Sequence, residues 1–162
     1  MPYPVVPVKL CSHLKGAVPG KLAADKLRQT TGGTLHHCAA DAWEAMVEAA
    51  SVAGIKLRPT SSGDTYRTLE LQTKAFFLRY QLEDTGNPDT RTFEGKKWYL
   101  KKGQACLATP GKSQHNLGIA VDVANAKGHT LDWMLANEHL FGFSHEVQSE
   151  PWHIRYTQGN KV

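Results

Sequence analysis

Ser113-Gln114-His115-Asn116-Leu117-Gly118-Ile119-Ala120-Val121-Asp122 runs from a polar loop into an apolar strand, and its last residue constrains everything around it. Ile119 to Ala124 is nearly continuous apolar sequence, the pattern of a buried strand, with one carboxylate inside it at Asp122. A carboxylate there is costly to bury unless it is paired or bound to a cation. Gly118 lets the backbone turn from the loop into the strand. His115 stands a short way upstream of Asp122, on the loop side of that turn.

Downstream, Thr130 to about Leu140 reads as a helix stopped by Gly142. Phe143 to Val147 and Trp152 to Tyr156 read as two strands joined through Ser149-Glu150-Pro151. Upstream, Leu35, Cys38, Ala39, Ala42, Trp43, Met46, Val47 and Ala50 follow a helical period, and Gly54 sits where a helix C-cap belongs. This helix begins at His36 or only near Asp41. Ile55 to Arg58 alternates apolar with basic residues before Pro59 and predicts a short strand. Thr68 to Tyr80 predicts a second helix with Leu69, Phe76, Phe77 and Tyr80 along one stripe. Residues 83 to 114 carry repeated turn signals around one candidate strand, Lys96 to Lys101, and read as a functional loop. Residues 1 to 34 are rich in proline and read as an extended lead-in, with one short helical turn between Gly20 and Gln29. The order predicts an α+β fold, a small antiparallel sheet flanked by helices with the site at the sheet face. The lead-in, 1–34, packs on the same domain as 35–162.

Composition excludes several classes. The chain has 162 residues, 41% hydrophobic and 21% charged, ordinary for a globular protein. A net charge of +4, dispersed along the chain, does not predict a nucleic-acid partner but suits an acidic polymer. No stretch approaches the ~20 apolar residues of a membrane span. The first residues, MPYPVVPVKLCSH, lack the pattern of a secretory signal, so synthesis in a host cytoplasm without a signal peptide is expected. Cys11, Cys38 and Cys106 form no CxxC pair and are expected as free, partly buried thiols, with one disulfide the alternative. A monomer is expected.

The far end of the chain supplies partners for Asp122. Glu150-Pro151-Trp152-His153 places a second histidine three residues after a glutamate. Two neutral imidazoles and a carboxylate are a common ligand set for catalytic zinc, with the fourth position left to water. Glu150 is then placed to take a proton from that water. The competing reading makes Asp122 a structural carboxylate paired with Arg155 or a lysine.

The complete strings are more specific than the spacing. Ser113 to Asp122 resembles the SxHxxGxAxD signature of the VanY-like D-alanyl-D-alanine carboxypeptidases, and Glu150 to Tyr156 is similar to that family's ExWHxxY signature. Tyr66-Arg67-Thr68 followed by Gln72 resembles its third block. The resemblance implies that His115, Asp122 and His153 hold one zinc ion and that Glu150 is the general base. It implies that Arg67 pairs with a substrate carboxylate or with charge on the scissile carbonyl. Among the substrate-side residues, Ser113 is implied as a hydrogen-bond partner of the peptide near the metal, Gln72 as a brace of the Arg67 segment, and Trp152 as a wall of the site or packing beneath it. Ser113 as a cap, Gln72 as a partner of backbone groups and Trp152 as core packing are the plainer alternatives. His36 and His37 are expected as capping or surface residues, His13, His129 and His139 as surface, and His145 as structural.

The implied partner is the stem peptide of bacterial peptidoglycan. Relatives of this family cut either a terminal D-alanine or the bond between L-alanine and D-glutamate. The lack of a signal and a groove built from Trp98, Tyr99 and the neighbouring lysines lean the expectation toward a phage lysin-type endopeptidase. That enzyme would act at the wall after release or as part of a virion. The D-alanyl-D-alanine carboxypeptidase is the alternative, and a non-catalytic zinc-bearing binding module the reading from another class.

Overall fold

The computed structural model describes residues 14–157. The central helix, α1 (His37–Val52), buries Cys38, Ala39, Ala40, Trp43, Met46 and Ala50, the stripe its periodicity requires. The His36 ring accepts the Cys38 N–H at its start. At its end Gly54 takes φ +79°, and the Ile55 N–H returns to the Ala50 carbonyl at 2.8 Å. Before α1 lies a hairpin, β1 (Leu27–Thr30) with β2 (Gly33–His36), that packs against the helix. The Trp43 indole N–H ties the two together by donating to the Thr31 carbonyl at 3.1 Å.

Helix α2 (Leu69–Arg79) is capped by the Thr68 hydroxyl, which accepts the Leu71 N–H. It leads directly into β3 (Tyr80–Gln81), which joins the hairpin of β4 (Thr90–Phe93) and β5 (Lys96–Leu100) in the order β3-β5-β4. Glu94 and Gly95, both at positive φ, make the tight turn between β4 and β5. Phe76, Tyr80 and Leu100 form a small separate core there, covered by Phe93, Trp98 and Leu107.

The third sheet has the order β6-β8-β7, built from β6 (Ala120–Asp122), β7 (Phe143–His145) and β8 (His153–Tyr156), all antiparallel. Between β6 and β7 run α3 (Gly128–Asn137) and a 3-10 turn, Glu138–Phe141. Alternation divides this sheet. Val121, Ile154 and Phe143 face the main core with Trp43, Met46 and Met134. Asp122 and His153, directly paired across β6 and β8, share the opposite face.

The α+β class with antiparallel pairing stands, but the pairing is split into three small sheets. Ile55 to Arg58 forms no strand. Pro59 makes only an isolated bridge to Val123, since a prolyl nitrogen cannot extend a ladder. Within 83–114 the candidate strand at Lys96 to Lys101 forms as β5, and the unexpected β4 pairs with it, so the segment is not one long loop. The hairpin at 27–36 escaped the sequence reading: Leu27-Arg28-Gln29-Thr30 is mostly polar, and its support comes from α1. The short helical turn expected before Gln29 is a 3-10 turn at Ala24–Lys26. Cys38 is disulfide-bonded, a correction to the free-thiol expectation, whereas Cys106 is free and exposed. Cys11, His13 and the first part of the lead-in lie outside the described residues.

Gly118 joins the site loop to β6 at φ +70°, and a Cβ there would stand 2.7 Å from the His36 nitrogen. Gly54 has the same handedness with open space around it. Gly118→Ala should therefore cost about 2 kcal/mol or more, against about 1 kcal/mol for Gly54→Ala, compared by urea unfolding.

Candidate metal centre

A 3-10 turn, Gln114–Leu117, carries His115 toward the sheet. Ser113 caps it, accepting the His115 N–H at 3.1 Å, and the Asn116 side chain completes the reciprocal cap. Asn116 also donates to the Arg67 carbonyl at 2.8 Å, while the Arg67 N–H donates to the His115 carbonyl at 2.9 Å. The segments bearing Arg67 and His115 are thereby locked side by side, although nearly fifty residues separate them. On the other side, Glu150 to His153 is a tight turn closed by the His153 N–H on the Glu150 carbonyl at 3.1 Å. Pro151 occupies its second position, where a fixed φ favours the turn. The spacing of Glu150 and His153 is therefore a turn's spacing, with β8 beginning at its last residue.

His115 Nε2 lies 3.2 Å and His153 Nδ1 2.9 Å from the same oxygen, Asp122 Oδ1. The far nitrogen of each ring is anchored. His115 Nδ1 meets the Thr65 carbonyl at 2.8 Å, and His153 Nε2 meets Glu146 Oε1 at 2.6 Å. With an N–H directed at each of those oxygens, loss of the proton on the opposite nitrogen would turn a lone pair toward Asp122, the form a metal requires. One donor atom from each of the three residues lies within 4.8 Å of the others, the convergence that a small tetrahedral cation requires. Two imidazoles and a carboxylate fit zinc. His36, His37 and Cys38 also cluster, but the disulfide removes the Cys38 thiolate from that set.

The electrostatics follow from this packing. Burial raises the Asp122 pKa, but hydrogen bonds and charge from His115 and His153 outweigh it and hold the carboxyl far below its ordinary range. Burial opposes charge on His153, yet Asp122 and Glu146 on its two sides push it up to about 9. Glu150 moves the other way: burial, helped by the negative charges of Asp122 and Glu146, outweighs the opposing charges of His153 and His115 and raises it above the usual glutamate value. Burial lowers the Arg67 pKa, which Asp122 and Asp64 partly offset.

These groups line a cleft of about 790 Å³. His115, Asp122, His153, Glu150, Arg67, Ser113 and Trp152 all border it. Gln72 stands behind, fully buried, accepting from Arg67 Nη1 at 2.7 Å and donating to the Ala108 carbonyl at 2.8 Å. The Arg67 Nε–H is held by the Gly63 carbonyl at 2.9 Å. Trp152 is 37% exposed, so it walls the cleft and does not pack in the core. Arg155 pairs with Glu146 at 2.5 Å, not with Asp122. His145 is buried between Glu138 and the Pro151 carbonyl, and His36 caps α1 from full burial. His129 and His139 are exposed. Sequence reasoning missed Glu146, whose only signal was a carboxylate at the end of β7, and the Thr65 carbonyl, which no side-chain pattern encodes.

The fold brings His115, Asp122 and His153, a candidate donor set for one metal ion, together with Glu150 in a single cleft. The family model described as VanY, D-alanyl-D-alanine carboxypeptidase, matches residues 32–159, and the chain belongs to that metallopeptidase family. It is 27% identical over 139 residues to the putative carboxypeptidase YodJ of Bacillus subtilis, covering 73% of this chain and 44% of that protein. It is 35% identical over 71 residues to a D-alanyl-D-alanine carboxypeptidase of Enterococcus faecalis, covering 34% of this chain and 26% of that protein. The chain thus spans less than half the length of these curated relatives. Among solved structures, the vancomycin-resistance D,D-pentapeptidase VanY in complex with Zn(II) shares the fold at TM-score 0.56 and 22% identity, covering 85% of this chain and 83% of that one. The LD-carboxypeptidase LdcB does so at TM-score 0.56 and 22% identity, covering 86% and 71%. Among the described residues no helix is long and apolar enough to cross a membrane.

Because His153 is raised from 6.5 to about 9, its protonated form stabilises the metal-free fold fully below about pH 6.5. That contribution should be lost as pH rises through about 9. Urea unfolding of chelator-treated protein across this range should show the decline, and His153→Gln should flatten it.

Proposed function

We propose that this chain is a zinc-dependent peptidase that removes D-alanine from the end of peptidoglycan stem peptides. The observation that carries the reading is the convergence of His115, Asp122 and His153 with Glu150 beside them in an open cleft. These three residues hold the ion, which when bound brings the pKa of its water to about 7 and polarises the scissile carbonyl. Glu150 takes the proton released by the attacking water and passes it to the leaving amine. Its carboxylate has no hydrogen-bond partner among the described residues, so it is free to act. Arg67, with its plane fixed by Gly63 and Gln72, pairs with the substrate carboxylate or the oxyanion. The Ser113 oxygen caps its turn, which leaves the hydroxyl proton for a peptide carbonyl. Trp152 closes one wall over the peptide.

A carboxylate beside the leaving nitrogen is common to terminal D-alanine and to D-glutamate joined through its side chain, so Arg67 suits either. The family match favours the carboxypeptidase. The groove expected for the endopeptidase is missing its central residue: Trp98 packs against Phe76 and Phe77, and its indole N–H is spent on the Phe93 carbonyl. The presence of Glu150 argues against a non-catalytic module, which has no use for a base.

Mass spectrometry of a stem pentapeptide incubated with the zinc-loaded protein should show loss of one terminal alanine. Glu150→Ala should lower turnover by about 10²–10⁴-fold while zinc stays bound, and His153→Ala should lose both. A product with free N-terminal D-glutamate would move the assignment to the endopeptidase. An uncut pentapeptide together with uncut wall fragments would favour the binding module.

A further inference from the structure

We propose that Glu146, tethered by Arg155, is a positioning residue for the metal that sets the orientation and donor strength of the His153 ring. This rests on the zinc reading above. Glu146 Oε1 lies 2.6 Å from His153 Nε2, and Glu146 Oε2 lies 2.5 Å from Arg155 Nη1, so both carboxylate oxygens are engaged. The side chain is 18% exposed, Arg155 17% and His153 10%, which keeps water from competing strongly for these bonds.

The sheet explains how three separate residues meet. His153 and Arg155 are two apart on β8 and share the face that Asp122 occupies on β6. Arg155 stands opposite Ala120 on one side and Ser144 on the other, both small, which leaves room for a guanidinium on that face. Glu146 follows β7 directly and arrives at the edge of the same face.

Glu146 and Asp122 lie against opposite nitrogens of one imidazole. Glu146 is therefore on the side of the ring away from the three converging donors and does not complete them. A carboxylate that accepts the Nε2–H fixes the proton there, keeps the lone pair on Nδ1 and pushes electron density toward it. Arg155 offsets the charge that Glu146 would otherwise add beside Asp122. The two histidines are thus anchored unequally, His115 by a neutral carbonyl and His153 by a charged carboxylate.

The test is zinc affinity of metal-stripped protein, read by competition with a chromophoric chelator, for wild type, Glu146→Ala and Glu146→Gln. Glu146→Ala should weaken zinc binding by about 10–100-fold in protein that stays folded without metal. Glu146→Gln keeps an acceptor oxygen but loses the charge, and should fall between. If Glu146→Ala fails to fold, Glu146→Gln decides alone. Zinc affinity equal to wild type in a folded variant would overturn the proposal, and with a lowered metal-free Tm would reassign Glu146 to a structural role. A wild-type protein that binds no zinc would instead bring down the metal reading on which the proposal rests.

Discussion

The pairing of Asp122 with His153 across β6 and β8 is the constraint on which the site depends. In an antiparallel pair, opposed residues point to the same face, and a slip of one position would turn every side chain over. Val121, Ile154 and Phe143 would then leave the core that Trp43 and Met46 complete, and Asp122 and His153 would turn into it. The hydrophobic core therefore fixes the register, and the register fixes two of the three candidate donor residues. Their geometry needs no separate device, because burying the other face already enforces it.

The third donor is placed by a different means. His115 sits on a 3-10 turn whose backbone is spent on Ser113, Asn116 and Arg67, and whose exit is the left-handed Gly118 against His36. That lattice of backbone bonds also carries Arg67 to the cleft. One set of contacts thus positions a candidate donor residue and a cation together, and His36, at the end of β2 and the cap of α1, supports them through Gly118. The cost of burying Asp122 is offset by imidazoles whose far nitrogens are already satisfied, so the protein alone orients the candidate donors.

Much of this was legible in residue order. The apolar run around Asp122, the helical stripe from Leu35 to Ala50 and the turn before His153 follow from burial and local backbone preference, which a sequence displays directly. The hairpin at 27–36 and the short strands β3 and β4 were not legible. Their residues are polar or few, and their stability comes from α1 and from the Phe76 cluster. Trp98 looked like a groove residue because an aromatic among lysines reads the same whether it faces solvent or a small core. Only its neighbours decide between the two.

The sequence by itself determined the kind of chemistry: which residues can bind a cation, which can move a proton and which apolar faces must be covered. Those properties belong to side chains and to short-range periodicity, and they survive without coordinates. The tertiary structure alone decided the supporting roles of Glu146 on the far nitrogen of His153 and of the Thr65 carbonyl behind His115. Such roles depend on atoms brought together from distant parts of the chain, and one of them is backbone. No residue type announces a contact of that kind, so it appears only when packing fixes distance and direction.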